Sequence, residues 1–125
     1  MSEFHLPSAM SELPVLDSES IENLRALGAD GDDSFLKEII GIFVDDTPVR
    51  LKEMRDAFAA NDQATFSRAA HSIKGSSSNL GALRLRALAE MLERASKTSD
   101  LTGLDAELPK IEAEFAVAKI ELEKL

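Results

Sequence analysis

This sequence has no cysteine, no tryptophan and no tyrosine. Without cysteine no disulfide framework can form, which agrees with a reducing, cytoplasmic setting. Six phenylalanines are the only aromatic residues. The core must therefore come from Leu, Ile, Ala and Phe, the side chains of a helical bundle rather than of a β-sandwich. Apolar runs are short, and none approaches the roughly 20 residues that cross a bilayer. The start, MSEFHLPSAMSELP, lacks a basic stretch followed by an apolar one, so it does not read as a signal peptide. Positive charge is also in deficit: the formal net charge is −9. Such a chain repels nucleic-acid phosphates and anionic lipid, so neither nucleic acid nor membrane insertion is expected. A nucleotide-binding glycine loop, a Walker lysine and kinase motifs are missing as well. That points away from an ATP-using enzyme.

What is present is helical periodicity. At 125 residues one domain is expected. Residues 1–16 read as a flexible tail and 17–125 as a helical bundle. Asp17 or Ser18 can cap a short first helix striped by Ile21, Leu24 and Leu27 and closed by Gly28. ADGDD at 29–33 supplies a turn and capping oxygens. A calcium loop starting at Asp30 would need glycine where Phe35 stands, so capping is the better reading. Spacings of three and four from Phe35 to Phe58 predict helix. Pro48 within that stretch predicts a kink, or two helices with Thr47 capping the second. Further helices are expected from about Gln63 to Asn79, then along ALRLRALAEMLERASK. A last long helix carries a stripe of Leu104, Leu108, Ile111, Phe115, Ala118, Leu122 and Leu125. No stretch alternates with period two. The expected fold is all-α, an antiparallel up-and-down four-helix bundle with an extra short N-terminal helix.

The segment RAAHSIKGSSSNLGA, residues 68–82, carries the chemistry. A helix turns about 100° per residue. With His71 at zero, Ala69, Leu80, Ile73 and Phe66 cluster between about 160° and 220°. Ser67, Arg68, Lys74, Gly75 and Ser78 fall within about 60° of His71. Packing the apolar stripe therefore turns His71 toward water. Gly75 is on the same face, and a mid-helix glycine costs about 1 kcal/mol relative to alanine; close approach of another surface is a reason to keep it. The alternative is that Gly75 simply ends the helix. Lys74 stands one turn from His71, able to swing its ammonium beside a group of about two negative charges. Ser78 can donate to phosphoryl oxygens, while Ser76 and Ser77 suit tight helix packing. An exposed imidazole near its reference pKa of about 6.5 keeps a free lone pair at neutral pH. Nothing nearby in sequence suggests a carboxylate base.

AHSIKGSSSNLGA resembles the signature of histidine-containing phosphotransfer (HPt) domains of two-component phosphorelays. The match runs through His71, Lys74, Gly75, Ser76, Asn79, Leu80, Gly81 and Ala82, and the likeness extends over about 17–125. The resemblance implies a phosphorelay intermediate. His71 would accept a phosphoryl group from a receiver-domain aspartate and pass it to another. Lys74 would be the phosphoryl neighbour, Gly75 would give clearance and Gly81 would form a tight turn. Arg68, Arg84 and Arg86 would meet the acidic receiver, or else be solvated charge. The receiver would bring Mg²⁺, so no cofactor is expected here. Many members place glutamine near the histidine, at or near Glu93; an inward carboxylate there would repel the phosphoryl group. Receiver domains of response regulators and hybrid sensor kinases are the implied partners, with a monomer expected. A helical docking module that is never phosphorylated is the alternative. Hydrolysis by His71 with Ser72 lacks an orienting acid.

Overall fold

A computed structural model describes residues 12–28, 32–98 and 100–125. Among them are five α-helices: α1 (Ser18–Ala26), α2 (Ser34–Ala60), α3 (Gln63–Leu80), α4 (Leu83–Thr98) and α5 (Leu108–Glu123). A 3₁₀ turn, Asp105–Glu107, leads into α5. No strand occurs among the described residues. The molecule is an all-helical bundle, as the periodicity predicts.

Local chemistry sets the ends. Asp62 caps α3 by accepting from Thr65 N at 3.1 Å, satisfying a donor the helix cannot. Asn61 (φ 54°) and Gly81 (φ 67°) close α2 and α3 in the left-handed region, where helices commonly stop. Each connection is too short for anything but a return, so α2, α3 and α4 are antiparallel neighbours. α3 packs along both of the others and buries Phe66, Ala69, Ala70, Ile73, Ser77 and Leu80. The core fills with Leu36, Phe43 and Met54 from α2, Leu85, Leu88 and Leu92 from α4, and Ile111, Phe115 and Leu122 from α5. Phe43 and Phe115 meet at 5.4 Å between ring centres, tilted by 55°, an arrangement aromatic pairs favour.

Four expectations change. Helix α2 runs unbroken through Pro48, so of the two readings, a kink or two helices with Thr47 capping the second, the division is excluded. Proline removes one backbone donor, but Thr47 and Leu51 on either side are buried, and that packing carries the helix across. Leu27, assigned to the stripe of α1, is exposed, because the helix ends at Ala26. Val15 and Leu16, assigned to the tail, pack against the core, and the Val15 carbonyl accepts from Leu83 N at 3.1 Å. Leu125, the end of the α5 stripe, lies beyond the helix and is exposed. Residues 1–11, with His5, and the 29–31 part of the ADGDD turn lie outside the described residues. Among the described residues no helix is long and apolar enough to cross a membrane.

Candidate functional site

His71 sits at the middle of α3, on the side opposite the buried stripe. Its side chain is 66% exposed, whereas Phe66, Ile73 and Leu80 are fully covered. The helical wheel is thus realised: the core holds one face of α3 so firmly that the opposite face must meet water. Gly75 follows one turn later, inside the helix and exposed, so it does not end α3. A Cβ placed on Gly75 would meet nothing within 4 Å. The fold itself has no steric need for glycine there.

Across the α3–α4 seam stands Glu93, 8% exposed at its side chain. One carboxylate oxygen, Oε2, lies 3.0 Å from His71 Nδ1 and accepts from Lys97 Nζ at 3.1 Å. The other, Oε1, is 2.8 Å from Lys74 Nζ. Burial pushes this carboxyl up, but hydrogen bonds from Lys74, Lys97 and His71, with the Lys74 charge, outweigh it and hold the pKa at about 2. Glu93 is therefore an anion at any physiological pH and can only accept. His71 Nδ1 must donate to it, which places the lone pair of the neutral ring on Nε2.

The rest of the face is polar and cationic. Arg94 and Lys97 line a small hollow with Lys74, Glu90 and Glu93. Arg86 Nε donates to Ser78 Oγ at 2.8 Å. The Ser78 hydroxyl in turn donates to the Lys74 carbonyl at 2.9 Å, so its proton is engaged by backbone in this arrangement. Arg68, three residues before His71, is exposed and reaches Thr65 Oγ1 at 3.4 Å, and Ser67 is half-buried.

The Hpt domain family model matches residues 38–123, more than half of the chain. The chain belongs to the Hpt domain family. Its structure is similar to that of histidine-containing phosphotransfer protein B from Pseudomonas aeruginosa PAO1, with a TM-score of 0.81 and 30% identity over 89% of this chain and 93% of that one. Histidine-containing phosphotransfer protein 2 of Arabidopsis thaliana is 26% identical over 88% of this chain and 72% of its own length. The Hpt domain of a Shewanella sensor hybrid histidine kinase shares the fold, with a TM-score of 0.70 and 20% identity over 88% of this chain and 92% of that one. The work of this family is histidine phosphotransfer.

Within this Hpt domain the structure gathers His71, Lys74, Gly75 and Arg68 on one face, with Ser78 and Arg86 bonded to each other nearby. Arg84 is elsewhere: it holds Glu114 of α5 at 3.1 Å. Glu93 does point inward, as the count along α4 allowed, but it faces the ring and two lysines. Glu93 as the partner of the imidazole, and Lys97 as a partner of the Glu93 carboxylate, escaped the reading of the sequence. Their four-residue spacing puts them on one face of α4, yet nothing local says that this face meets Nδ1.

Proposed function

We propose that this Hpt domain is a phosphorelay carrier in which His71 Nε2 accepts a phosphoryl group from a receiver-domain aspartate and hands it to a second receiver. One observation carries the reading: an imidazole two-thirds exposed, with its inner nitrogen held by a carboxylate and bare backbone one turn away. An incoming acyl phosphate needs a lone pair in reach and room for the receiver that bears it. Nε2 supplies the first and Gly75 the second. Lys74 lies on the same face, where its ammonium can turn from Glu93 toward phosphoryl oxygens.

The receiver docks over α2 and α3. Ile42, 58% exposed, borders a groove with Ser76 and Asn79, and Arg68 offers a charge opposite to an acidic receiver. The receiver brings its own acidic pocket and Mg²⁺, which neutralises charge on the transferring group. This chain is a cytoplasmic monomer that carries the group without an ATP site of its own.

The test mixes the protein with an aspartyl-phosphorylated receiver and follows labelled phosphorus. Acid-labile label is expected on the wild type and absent from His71→Gln. Label that persists on the variant moves the site elsewhere. A wild type that binds the receiver and takes no label makes the chain a docking module.

A further inference from the structure

We propose that Lys97 is a positioning residue: it holds the charge of Glu93, so that Lys74 is released to turn to the phosphoryl group on His71. The inference rests on the carrier reading above and adds to it a residue that acts from behind the site.

Two ammonium groups meet one carboxylate here. Glu93 is 8% exposed at its side chain, and a buried charge is tolerated only while it is paired. Lys74 Nζ reaches Oε1 at 2.8 Å and Lys97 Nζ reaches Oε2 at 3.1 Å. One cation would neutralise the carboxylate. The second is in excess, and an excess cation is what a phosphoryl dianion on this face requires. The two pairs are built differently. Glu93 and Lys97 are four apart on α4 with the glutamate on the N-terminal side, the favourable orientation for such a pair. The turn that carries them is pinned to α3, where Gln63 Nε2 donates to the Ser96 carbonyl at 3.2 Å. The Lys74 pair instead crosses from α3 to α4. It can part by rotation within the lysine side chain, with neither helix moving. Lys74 also stands three residues from His71, on the same face of α3. Arg94 does not replace Lys97, because Glu90 holds it at 2.8 Å.

On uptake the Nε2 lone pair attacks phosphorus, the P–O bond to the receiver aspartate breaks, and its electron pair leaves on the carboxylate oxygen. About two negative charges then stand beside the ring, and Lys74 turns to them. Without Lys97 that turn would strip a buried carboxylate of its last ammonium partner. Lys74 would stay with Glu93, and the transferring group would lack its cation. With Lys97 in place Glu93 keeps a counter-ion throughout. A cation in the last turn of a helix also favours the carbonyl end of the dipole, and Lys97 is so placed on α4. That effect does not depend on Glu93, which separates it from the role proposed.

The test is a double-mutant cycle. Uptake from one phosphorylated receiver is measured for wild type, Lys97→Gln, Glu93→Gln and the double variant, with Lys97→Arg as the conservative change. With Glu93 present, Lys97→Gln should lower kcat roughly tenfold and leave KM nearly unchanged. Lys97→Arg should restore most of that rate. In Glu93→Gln no buried charge remains to be held, so adding Lys97→Gln should change kcat less than about twofold. Equal losses in both backgrounds overturn the proposal and make Lys97 a direct contact of the receiver or of the phosphoryl group. A Lys97→Gln protein that transfers at the wild-type rate overturns it too. A second readout needs neither variant nor receiver. Wild type loaded with phosphoramidate is compared with unloaded protein through the ¹⁵N signals of the lysine ammonium groups. The Lys74 signal should shift and the Lys97 signal should stay; any other pattern overturns the proposal. That spectrum decides the matter if Lys97→Gln fails to fold. It also stands if receivers fail to label His71, so loss of the carrier reading and loss of this one are told apart.

Discussion

Gly75 is where stability and transfer should pull in opposite directions. It occupies the interior of an 18-residue helix, is exposed, and has open space where a methyl group would go. Replacing it with alanine removes backbone freedom from the unfolded chain and introduces no clash in the folded one. The gain should be about 1 kcal/mol, or roughly 4 °C in Tm for a chain of this size. Gly75→Leu should be nearly as stable, since leucine falls only a few tenths of a kcal/mol below alanine in a helix. In transfer the two should part from wild type. The new side chain stands about 6 Å along the axis from His71, on the face a receiver must approach. Leucine there should lower kcat/KM for phosphoryl uptake more than tenfold, equivalent to about 1.4 kcal/mol lost in the docked complex. Gly41 supplies the control. It too is exposed inside a helix with nothing within 4 Å of an added Cβ, so Gly41→Ala should bring the same stability. Urea melts and receiver-transfer kinetics on the three variants decide the matter. A Gly75→Ala protein no more stable than wild type refutes the helix-propensity step. A Gly75→Leu protein that transfers at the wild-type rate refutes the clearance step.

Two further outcomes follow from the site and its supports. The carboxyl of Glu93 titrates at about 2 when folded against an ordinary 4.5, so the folded chain binds fewer protons in that interval. Its stabilisation is complete above about pH 4.5 and fades as pH falls toward 2. The drop corresponds to roughly 3 kcal/mol at most, and water around His71 and Lys97 screens it to about 1–2 kcal/mol. Glu93→Gln should trail wild type by that margin at pH 7 and match it near pH 2; a gap that ignores pH overturns the assignment. Gly81→Ala should act opposite to Gly75→Ala. Its φ is 67° and an added Cβ would lie 2.7 Å from the Ser20 Cβ, so a loss of about 2 kcal/mol or more is expected in the same melts, and unchanged stability refutes the close approach of α1 to this turn.

Much of this molecule was legible along the chain because helical order is local. The three-and-four spacing of Phe66, Ala69, Ile73, Ser77 and Leu80 decides which way His71 faces, whatever α3 packs against. Asp62 as a cap and Gly81 as a stop act through groups a few residues away. Pro48 left a kink and a division both open for the complementary reason: its local cost is real, but burial of Thr47 and Leu51 by distant helices outweighs it, so the helix does not divide. Val15 joined the bundle through a hydrogen bond to Leu83, 68 positions further on by number, which no local pattern announces. The same holds for the inner half of the site. That His71 is displayed is a property of one helix; that its Nδ1 finds Glu93, with Lys74 and Lys97 on the same carboxylate, depends on how α4 is rotated against α3. Packing of Leu85, Leu88 and Leu92 into the core sets that rotation, and only the folded chain brings residues 22 positions apart to 3.0 Å.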